Sequence, residues 1–186
     1  MRIVGGEFRG RALAAPSSRD IRPSSDRLRE AVFDILIHRY SDRIAGARVL
    51  DLFAGTGALG LEAVSRGAAF ALFVDESVAA RGLIRRNIEA LGLTGRTRIF
   101  RRDATRLGNA GTVSPFDLAF VDPPYGKGLG ERALAAAHAG GWLKPGAICV
   151  LEESERAAIG TVNHFEALER RAMGDSGLVF FRASTG

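Results

Sequence analysis

Asp51-Leu52-Phe53-Ala54-Gly55-Thr56-Gly57-Ala58-Leu59-Gly60 is the stretch on which the reading of this chain turns. The apolar pair Val49-Leu50 precedes it, and Leu61-Glu62-Ala63-Val64 follows with a helical pattern. A strand, a glycine-rich turn and a helix in that order bring backbone N–H groups and a helix N-terminus to one point. Such a cradle suits a small ligand rich in oxygen. Gly55 and Gly57 permit positive φ and close backbone approach, and Gly60 lets the helix lie tightly on the sheet.

Gly55, Gly57 and Gly60 also fit the G-x-G-x-x-G spacing of dinucleotide-binding folds, with Asp75 placed 20 residues beyond Gly55 as a ribose-binding acid. Asp51 argues against a dinucleotide. A carboxylate near the end of a buried strand crowds a pyrophosphate, yet suits a ligand with an ammonium group. S-adenosylmethionine carries one and has no phosphate. A nicotinamide-dependent oxidoreductase remains as a rival, but it needs a proton shuttle, and His38, His138 and His164 fall in helix, helix and late loop.

Outward from the loop, strands and helices alternate. Ser24 or Ser25 caps a helix that runs to about Tyr40, with Leu28, Val32, Phe33, Ile35 and Leu36 as its buried stripe. Strands are expected at Arg48–Phe53, Phe70–Asp75, Arg98–Arg102, Asp117–Val121 and Ala147–Leu151, then near Glu166–Arg171 and Leu178–Arg182. Helices are expected at Ala58–Arg66, from the Ser77 cap to about Leu91, and at Glu131–Ala139. Runs such as Phe70–Val74, apolar on both faces, belong to a parallel sheet covered on both sides, so the fold class is α/β.

Asp51, Asp75, Asp103 and Asp122 each fall at or near the carboxyl end of one of four successive strands, the edge where open α/β sheets bind ligands. Any one of them alone reads as a turn former. Together they have chemical uses: Asp51 faces a cofactor ammonium, Asp75 accepts two ribose hydroxyls, and Asp103 takes an adenine amine while the Ala104 N–H donates to the ring. The fourth opens Asp122-Pro123-Pro124-Tyr125. Two prolines fix the backbone and present the Asp122 carboxylate and a nearby carbonyl as paired acceptors. That pair suits an exocyclic NH2 on a planar ring: bonding both hydrogens turns the delocalised lone pair toward an incoming methyl group. Tyr125 is placed to stack on the base.

The chain has 186 residues, enough for one domain with a small appendage. Its net charge of +5 is uneven: residues 81–106 hold eight Arg against two acids, and residues 1–50 hold ten Arg against six. Two basic segments around an acidic ligand loop suggest a polyanionic partner. Residues 1–13 alternate apolar runs with glycines and read as a small basic β-hairpin carrying Arg2, Arg9 and Arg11, with Arg22 beyond it. The lone Cys149 sits in an apolar run and reads as a small buried hydrophobe. No apolar run approaches ~20 residues and no signal-peptide pattern opens the chain, so a cytoplasmic location is expected.

These motifs resemble a known family. Asp51–Gly57 and Asp122–Tyr125 are similar to motifs of many class I S-adenosylmethionine-dependent amino-group methyltransferases. Arg2-Ile3-Val4-Gly5-Gly6, Arg9-Gly10-Arg11 and Arg22-Pro23-Ser24-Ser25-Asp26-Arg27-Leu28-Arg29-Glu30 narrow the resemblance to the RsmD family, which methylates the N2 amine of a guanine in bacterial 16S ribosomal RNA. Ser24 stands where that family usually has Thr, and Asp75 where it commonly has Glu.

The resemblance implies a Rossmann-like, seven-stranded, mostly parallel sheet with helices on both faces. Residues 1–22 would be an RNA-binding hairpin and 23–186 the methyltransferase domain. S-adenosyl-L-methionine would be the cofactor, and 16S rRNA in the 30S subunit or an assembly intermediate the partner, with the protein a monomer. The candidate site is then Asp122, Pro123 and Tyr125 on the base side. Asp51, Phe53, Gly55, Thr56, Gly57, Asp75, Glu76, Asp103 and Ala104 stand on the cofactor side, and Arg2, Arg9, Arg11 and Arg22 on the RNA. No metal ligands are expected. The alternative target is another amine: adenine N6, cytosine N4 or a protein glutamine amide. A non-catalytic RNA-binding factor on the same fold is the remaining class.

Overall fold

The computed structural model describes residues 1–16 and 25–185. In chain order the elements are α1 (Asp26–Arg39), β1 (Arg48–Leu52), α2 (Ala58–Ser65), β2 (Phe70–Val74), α3 (Val78–Leu91), β3 (Thr97–Phe100), β4 (Phe116–Val121), α4 (Leu129–Ala139), β5 (Leu143–Ser154), β6 (Phe165–Met173) and β7 (Ser176–Ala183). Ser25 and Ser77 cap α1 and α3, accepting from the Leu28 and Ala80 N–H groups. No helix among the described residues is long and apolar enough to cross a membrane.

All seven strands form one sheet in the order β3-β2-β1-β4-β5-β7-β6. The five strands from β3 to β5 are mutually parallel, and β7 runs antiparallel between β5 and β6. The chain lays β1, β2 and β3 outward on one side and then returns to place β4 on the other side of β1. That reversal opens a crevice at the carboxyl ends of β1 and β4. Side-chain alternation divides the core in two. Val49, Phe73, Phe120 and Val150 pack with α1, α2 and α3, while Leu50, Leu72, Val121 and Leu151 pack with α4 and Trp142.

Gly60 sets the approach of α2 to the sheet, since a Cβ there would lie 2.4 Å from Cε1 of Phe73. Every residue of α2 is buried. Cys149 is a buried free thiol on β5, as its apolar setting predicts; burial pushes its pKa up to about 12.

Several boundaries differ from those read in the sequence. β1 stops at Leu52, and Phe53, expected within the strand, turns left-handed at φ 57°. β3 ends at Phe100, so Asp103 lies three residues past the strand, capping a 3-10 turn over Ala104–Arg106. β5 reaches Ser154 because pairing with β7 continues to Ser176. The expected N-terminal hairpin is short and irregular: Arg2 bridges Ala12 antiparallel, and the Ile3, Gly10 and Leu13 N–H groups donate to the Arg11, Ile3 and Met1 carbonyls. Gly5, Gly6 and Gly10 crowd its arms with turns, and its backbone is also held from outside.

That outside hold is Glu62. Its carboxylate, with no exposed surface, accepts the Val4 N–H at 2.8 Å and the Gly5 N–H at 2.7 Å. Arg66 Nε lies 2.9 Å from it and buried Arg29 Nε 4.0 Å. Arg29 also donates to the Arg2 carbonyl and to Asp26. Ser65 Oγ donates to the Gly5 carbonyl and accepts from the Phe8 N–H. The contact needs glycine: a Cβ on Gly6, which sits at φ 77°, would come 2.0 Å from the Ser65 carbonyl oxygen. Ile3 and Leu13 consequently join the core of α1–α3.

Replacing Glu62 with Ala leaves Arg29 buried and two backbone N–H groups without their acceptor, a loss of about 3–5 kcal/mol by analogy with broken buried ion pairs. Urea unfolding measures that loss, and hydrogen exchange should show the Val4 and Gly5 amides losing protection before the sheet does.

Candidate active site

The sheet register aligns the strand ends. Leu52 pairs with Val74 and with Val121, and Val74 pairs with Phe100. Backbone bonds continue the ladder beyond them: Ala54 N–H to the Val74 carbonyl, Asp75 N–H to Phe100, and Asp122 N–H to Leu52. Asp51, Asp75 and Asp122 therefore stand along one edge around the β1–β4 crevice. Asp103 follows at the 3-10 turn after β3.

Asp51 is 1 % exposed, and its Oδ2 accepts the Gly60 N–H at 2.9 Å. Burial, reinforced by the charge of Asp75 and opposed by the Gly60 bond, pushes its pKa up to about 8. No cation among the described residues pairs with it. The glycine loop folds as its sequence predicts: Gly55 and Gly57 have φ of 58° and 78°, and Gly57 caps α2. Phe53 in the same turn is a non-glycine residue held left-handed, a conformation costing on the order of 1–3 kcal/mol. Thr56 is buried, and its carbonyl accepts from Asn87 Nδ2 at 3.0 Å.

Asp75 braces the loop. One oxygen accepts the Gly55 N–H at 2.9 Å and the other the Ser77 N–H at 2.8 Å, leaving further lone pairs on each. Exposed Glu76 gives its carbonyl, with that of Asp75, to Arg81. Asp103 accepts the Thr105 hydroxyl and N–H, and the hydroxyl bond chiefly holds its carboxyl below the usual range. Ala104 beside it is buried.

The Asp122–Tyr125 turn is clamped by β5. The Tyr125 hydroxyl donates to Glu152 at 2.5 Å and lies 2.8 Å from Ser176 Oγ of β7, while the Gly126 N–H donates to Glu153 at 3.0 Å. Burial, then the bond to Glu152, raises the tyrosine pKa. Pro123 is buried and Pro124 exposed, so the turn is fastened on one side and open on the other.

The arginines expected to meet RNA fare differently. Arg9 is exposed. Arg2 lies 3.4 Å from Asp26, and Arg11 donates to the Ala90 carbonyl near the end of α3. Arg22 lies outside the described residues. Sequence reasoning missed Asn87, which is 2 % exposed and ties the Ala14 backbone to the Thr56 carbonyl. It also missed Glu152 and Glu153, although Glu152 follows the apolar run Ala147–Leu151 just as Asp75 follows Phe70–Val74. A cavity of about 460 Å³ lies elsewhere, by the amino ends of β1–β3, lined by Arg48, Phe70 and Thr97 among others.

A buried carboxylate lacking a cation, a left-handed glycine turn at a helix N-terminus and a second acid bracing that turn fit the ammonium, backbone-bound carboxylate and ribose of S-adenosylmethionine. This site on this strand order defines an S-adenosylmethionine-dependent class I methyltransferase. The family model described as "Conserved hypothetical protein 95" matches residues 1–182, and the chain belongs to that family, the RsmD-type methyltransferases. It is 37% identical over 183 residues to the Escherichia coli K12 protein named Ribosomal RNA small subunit methyltransferase D, covering 98% of this chain and 88% of that one. Among solved structures, the Escherichia coli protein titled "Putative methyltransferase yhhF" superposes with a TM-score of 0.84 at 31% identity, covering 100% of this chain and 99% of that one. A hypothetical protein of Thermus thermophilus gives 0.75 at 34% identity, over 97% and 98%.

The Asp51 shift carries a sign for stability. With a folded pKa near 8 and an unfolded one near 3.9, the folded state holds the proton more tightly. Its contribution is full below pH ~4 and is lost as pH rises to about 8. Asp51→Asn keeps an acceptor for Gly60 and escapes that loss. Denaturation of both proteins from pH 4 to 9 should show the variant gaining on the parent, by at most about 1.4 kcal/mol per pH unit, then levelling above pH 8.

Proposed function

We propose that this chain transfers a methyl group from S-adenosylmethionine to the N2 amine of a guanine in 16S ribosomal RNA of the small subunit. The observation that carries the reading is the clamped Asp122-Pro123-Pro124-Tyr125 turn beside the buried carboxylate of Asp51. The named activity of the Escherichia coli relative supports the RNA target.

On the cofactor side, Asp51 holds the ammonium and the turn Phe53–Gly57 lies against the methionine end. Asp75 and Glu76 serve the ribose, and Asp103 with the Ala104 N–H serves the adenine. When bound, S-adenosylmethionine supplies an electrophilic methyl group on a sulfonium. The chain's task is to make a poor nucleophile good. The Asp122 carboxylate and the carbonyl of Pro123 accept the two amine hydrogens, which draws the lone pair out of conjugation and fixes its direction. Tyr125, its hydroxyl anchored, offers a rigid ring face for the base; such stacking is worth ~1–3 kcal/mol. The proton shed by the amine passes to Asp122 or to water.

Residues 1–22 act as the RNA-gripping arm on the domain of 23–186. Arg9 is free to meet phosphates, and Arg2, Arg11 and Arg22 add to the positive field. The protein works as a cytoplasmic monomer on the 30S subunit or an assembly intermediate.

The test supplies labelled S-adenosylmethionine with 30S particles and with naked rRNA and maps the modified base. N2-methylguanosine is expected; label on adenine N6, cytosine N4 or protein would refute the reading. Asp122→Ala should lower turnover by ~10²-fold or more while S-adenosylhomocysteine affinity stays within about twofold. Asp51→Asn should do the reverse first, weakening that affinity. In the parent protein the affinity should fall as pH drops below about 8, because Asp51 must lose its proton to meet the ammonium.

A further inference from the structure

β5 brings a fifth acid to the reactive edge. Glu152 follows Leu151, which pairs with Val121, so Glu152 stands across the β4–β5 ladder from Asp122. Its side chain shares the sheet face of Val150 and Asp51, the face of α1–α3, because Leu151 lies in the opposite core. Glu152 is 7 % exposed. One carboxylate oxygen accepts both hydroxyls of the clamp, Tyr125 at 2.5 Å and Ser176 at 3.1 Å. The other has no exposed surface and no hydrogen-bond partner. Anchoring Tyr125 takes one acceptor atom, which a glutamine or a threonine also provides. The second oxygen is therefore unexplained by the clamp, and a buried acceptor without a donor costs about 1–3 kcal/mol.

We propose that Glu152 is a base-reading residue, its unpartnered oxygen accepting the N1–H of the target guanine while Asp122 and Pro123 take the adjacent N2 amine. The inference rests on the guanine-N2 reading above and deepens it. On the Watson–Crick edge of guanine the ring position next to the amine is a donor, N1–H. Beside the amines of adenine and cytosine the ring position is a bare nitrogen lone pair. A carboxylate oxygen bonds the first and repels the other two. One buried acceptor thus separates guanine from the other amino-bearing bases, whose amines the Asp-Pro-Pro-Tyr turn alone treats alike. The oxygen is enclosed in this structure, so the proposal requires the Tyr125 clamp to give way as the base enters; Pro124, Gly126, Lys127 and Gly128 beside it are exposed. Burial keeps water off the lone pair until the base donates, so the correct base relieves a cost that a wrong one leaves in place.

The test places 2,6-diaminopurine at the mapped guanosine of a synthetic RNA. That base keeps the N2 amine and has a bare N1, but carries an amine in place of the 6-carbonyl; 2-aminopurine, with a bare N1 and hydrogen at position 6, controls for that change. The wild-type chain should methylate guanosine ~10²-fold or more faster in kcat/KM than the analogue. Glu152→Gln, nearly isosteric, keeps an acceptor for Tyr125 and offers an NH2 to a bare N1. It should lose at least about tenfold on guanosine and shift the guanosine-to-diaminopurine ratio at least about tenfold toward the analogue. Tyr125→Phe, which removes the clamp and keeps the carboxylate, should slow both bases and leave their ratio unchanged. Thermal melting and S-adenosylhomocysteine binding of Glu152→Gln should match the parent. If wild type and Glu152→Gln show the same ratio on folded protein, Glu152 is only an anchor and the inference fails. If Glu152→Gln does not fold, a wild-type ratio near one overturns it by itself; otherwise Glu152→Asp, which draws the carboxylate back by one methylene, should lower the ratio at least about tenfold, and an unchanged ratio overturns the inference. Absence of N2 methylation by the wild type would instead overturn the functional reading beneath it.

Discussion

Glu62 is the constraint through which the N-terminal half of this molecule is assembled. A carboxylate with no exposed surface is tolerable only when its lone pairs are filled and its charge is balanced: the arm and Arg66 at the end of α2 donate to it, and the guanidinium of Arg29 on α1 stands 4.0 Å away. Removing any one donor set leaves the others facing an unfilled charge. The three segments are thereby obliged to meet at one point, and α2 is held with its N-terminus over the crevice. The glycines of the arm belong to the same constraint. Gly5 and Gly6 lie where any side chain would collide with Arg66 or with the Ser65 carbonyl.

The opposite demand rules the sheet edge. There, among the described residues, Asp51 is buried without a cation and an oxygen of Glu152 without a donor, and Phe53 is held in a left-handed conformation. Each feature is unfavourable in the isolated fold, and the first two are of the kind that a ligand of matching charge or hydrogen-bond pattern relieves. Stability drawn from the Glu62 network and from two close-packed core layers supports a reactive edge that is itself destabilising. This is the usual division between scaffold and site.

The sequence revealed the sheet because its strands are short apolar runs ending in acids, and the order of strands and helices left few ways to arrange them. The glycine loop was legible for a local reason: positive φ at Gly55 and Gly57 needs no distant partner to be inferred. What escaped depended on contacts far apart in the chain. Asn87 meets Ala14 and Thr56 across separations of 73 and 31 residues, and nothing in its own helix marks it. Glu62 did carry a signal, as a lone charge in an otherwise uncharged helical stretch. The N-terminal hairpin was legible in its alternation and glycines, and its two arms do pair through Ile3, Gly10 and Leu13; its docking on Glu62 and Ser65 was not, because that contact spans nearly 60 residues. Glu152 met the same strand-end rule as the four aspartates, but Glu153 and Ser154 after it blurred where β5 stops.

Ser176 ties the closing residue of the Asp122–Tyr125 turn to β7. Tyr125 is fastened by a hydroxyl on β7, the last strand to be laid down, which inserts between β5 and β6. A nascent chain that has released everything through α4 already possesses the glycine loop and all four aspartates, yet lacks Glu152 and Ser176, which hold the Tyr125 hydroxyl. If Tyr125 is the base platform proposed above, that platform is set only once β5 and β7 have joined the sheet, after the glycine loop of the cofactor side has already been made.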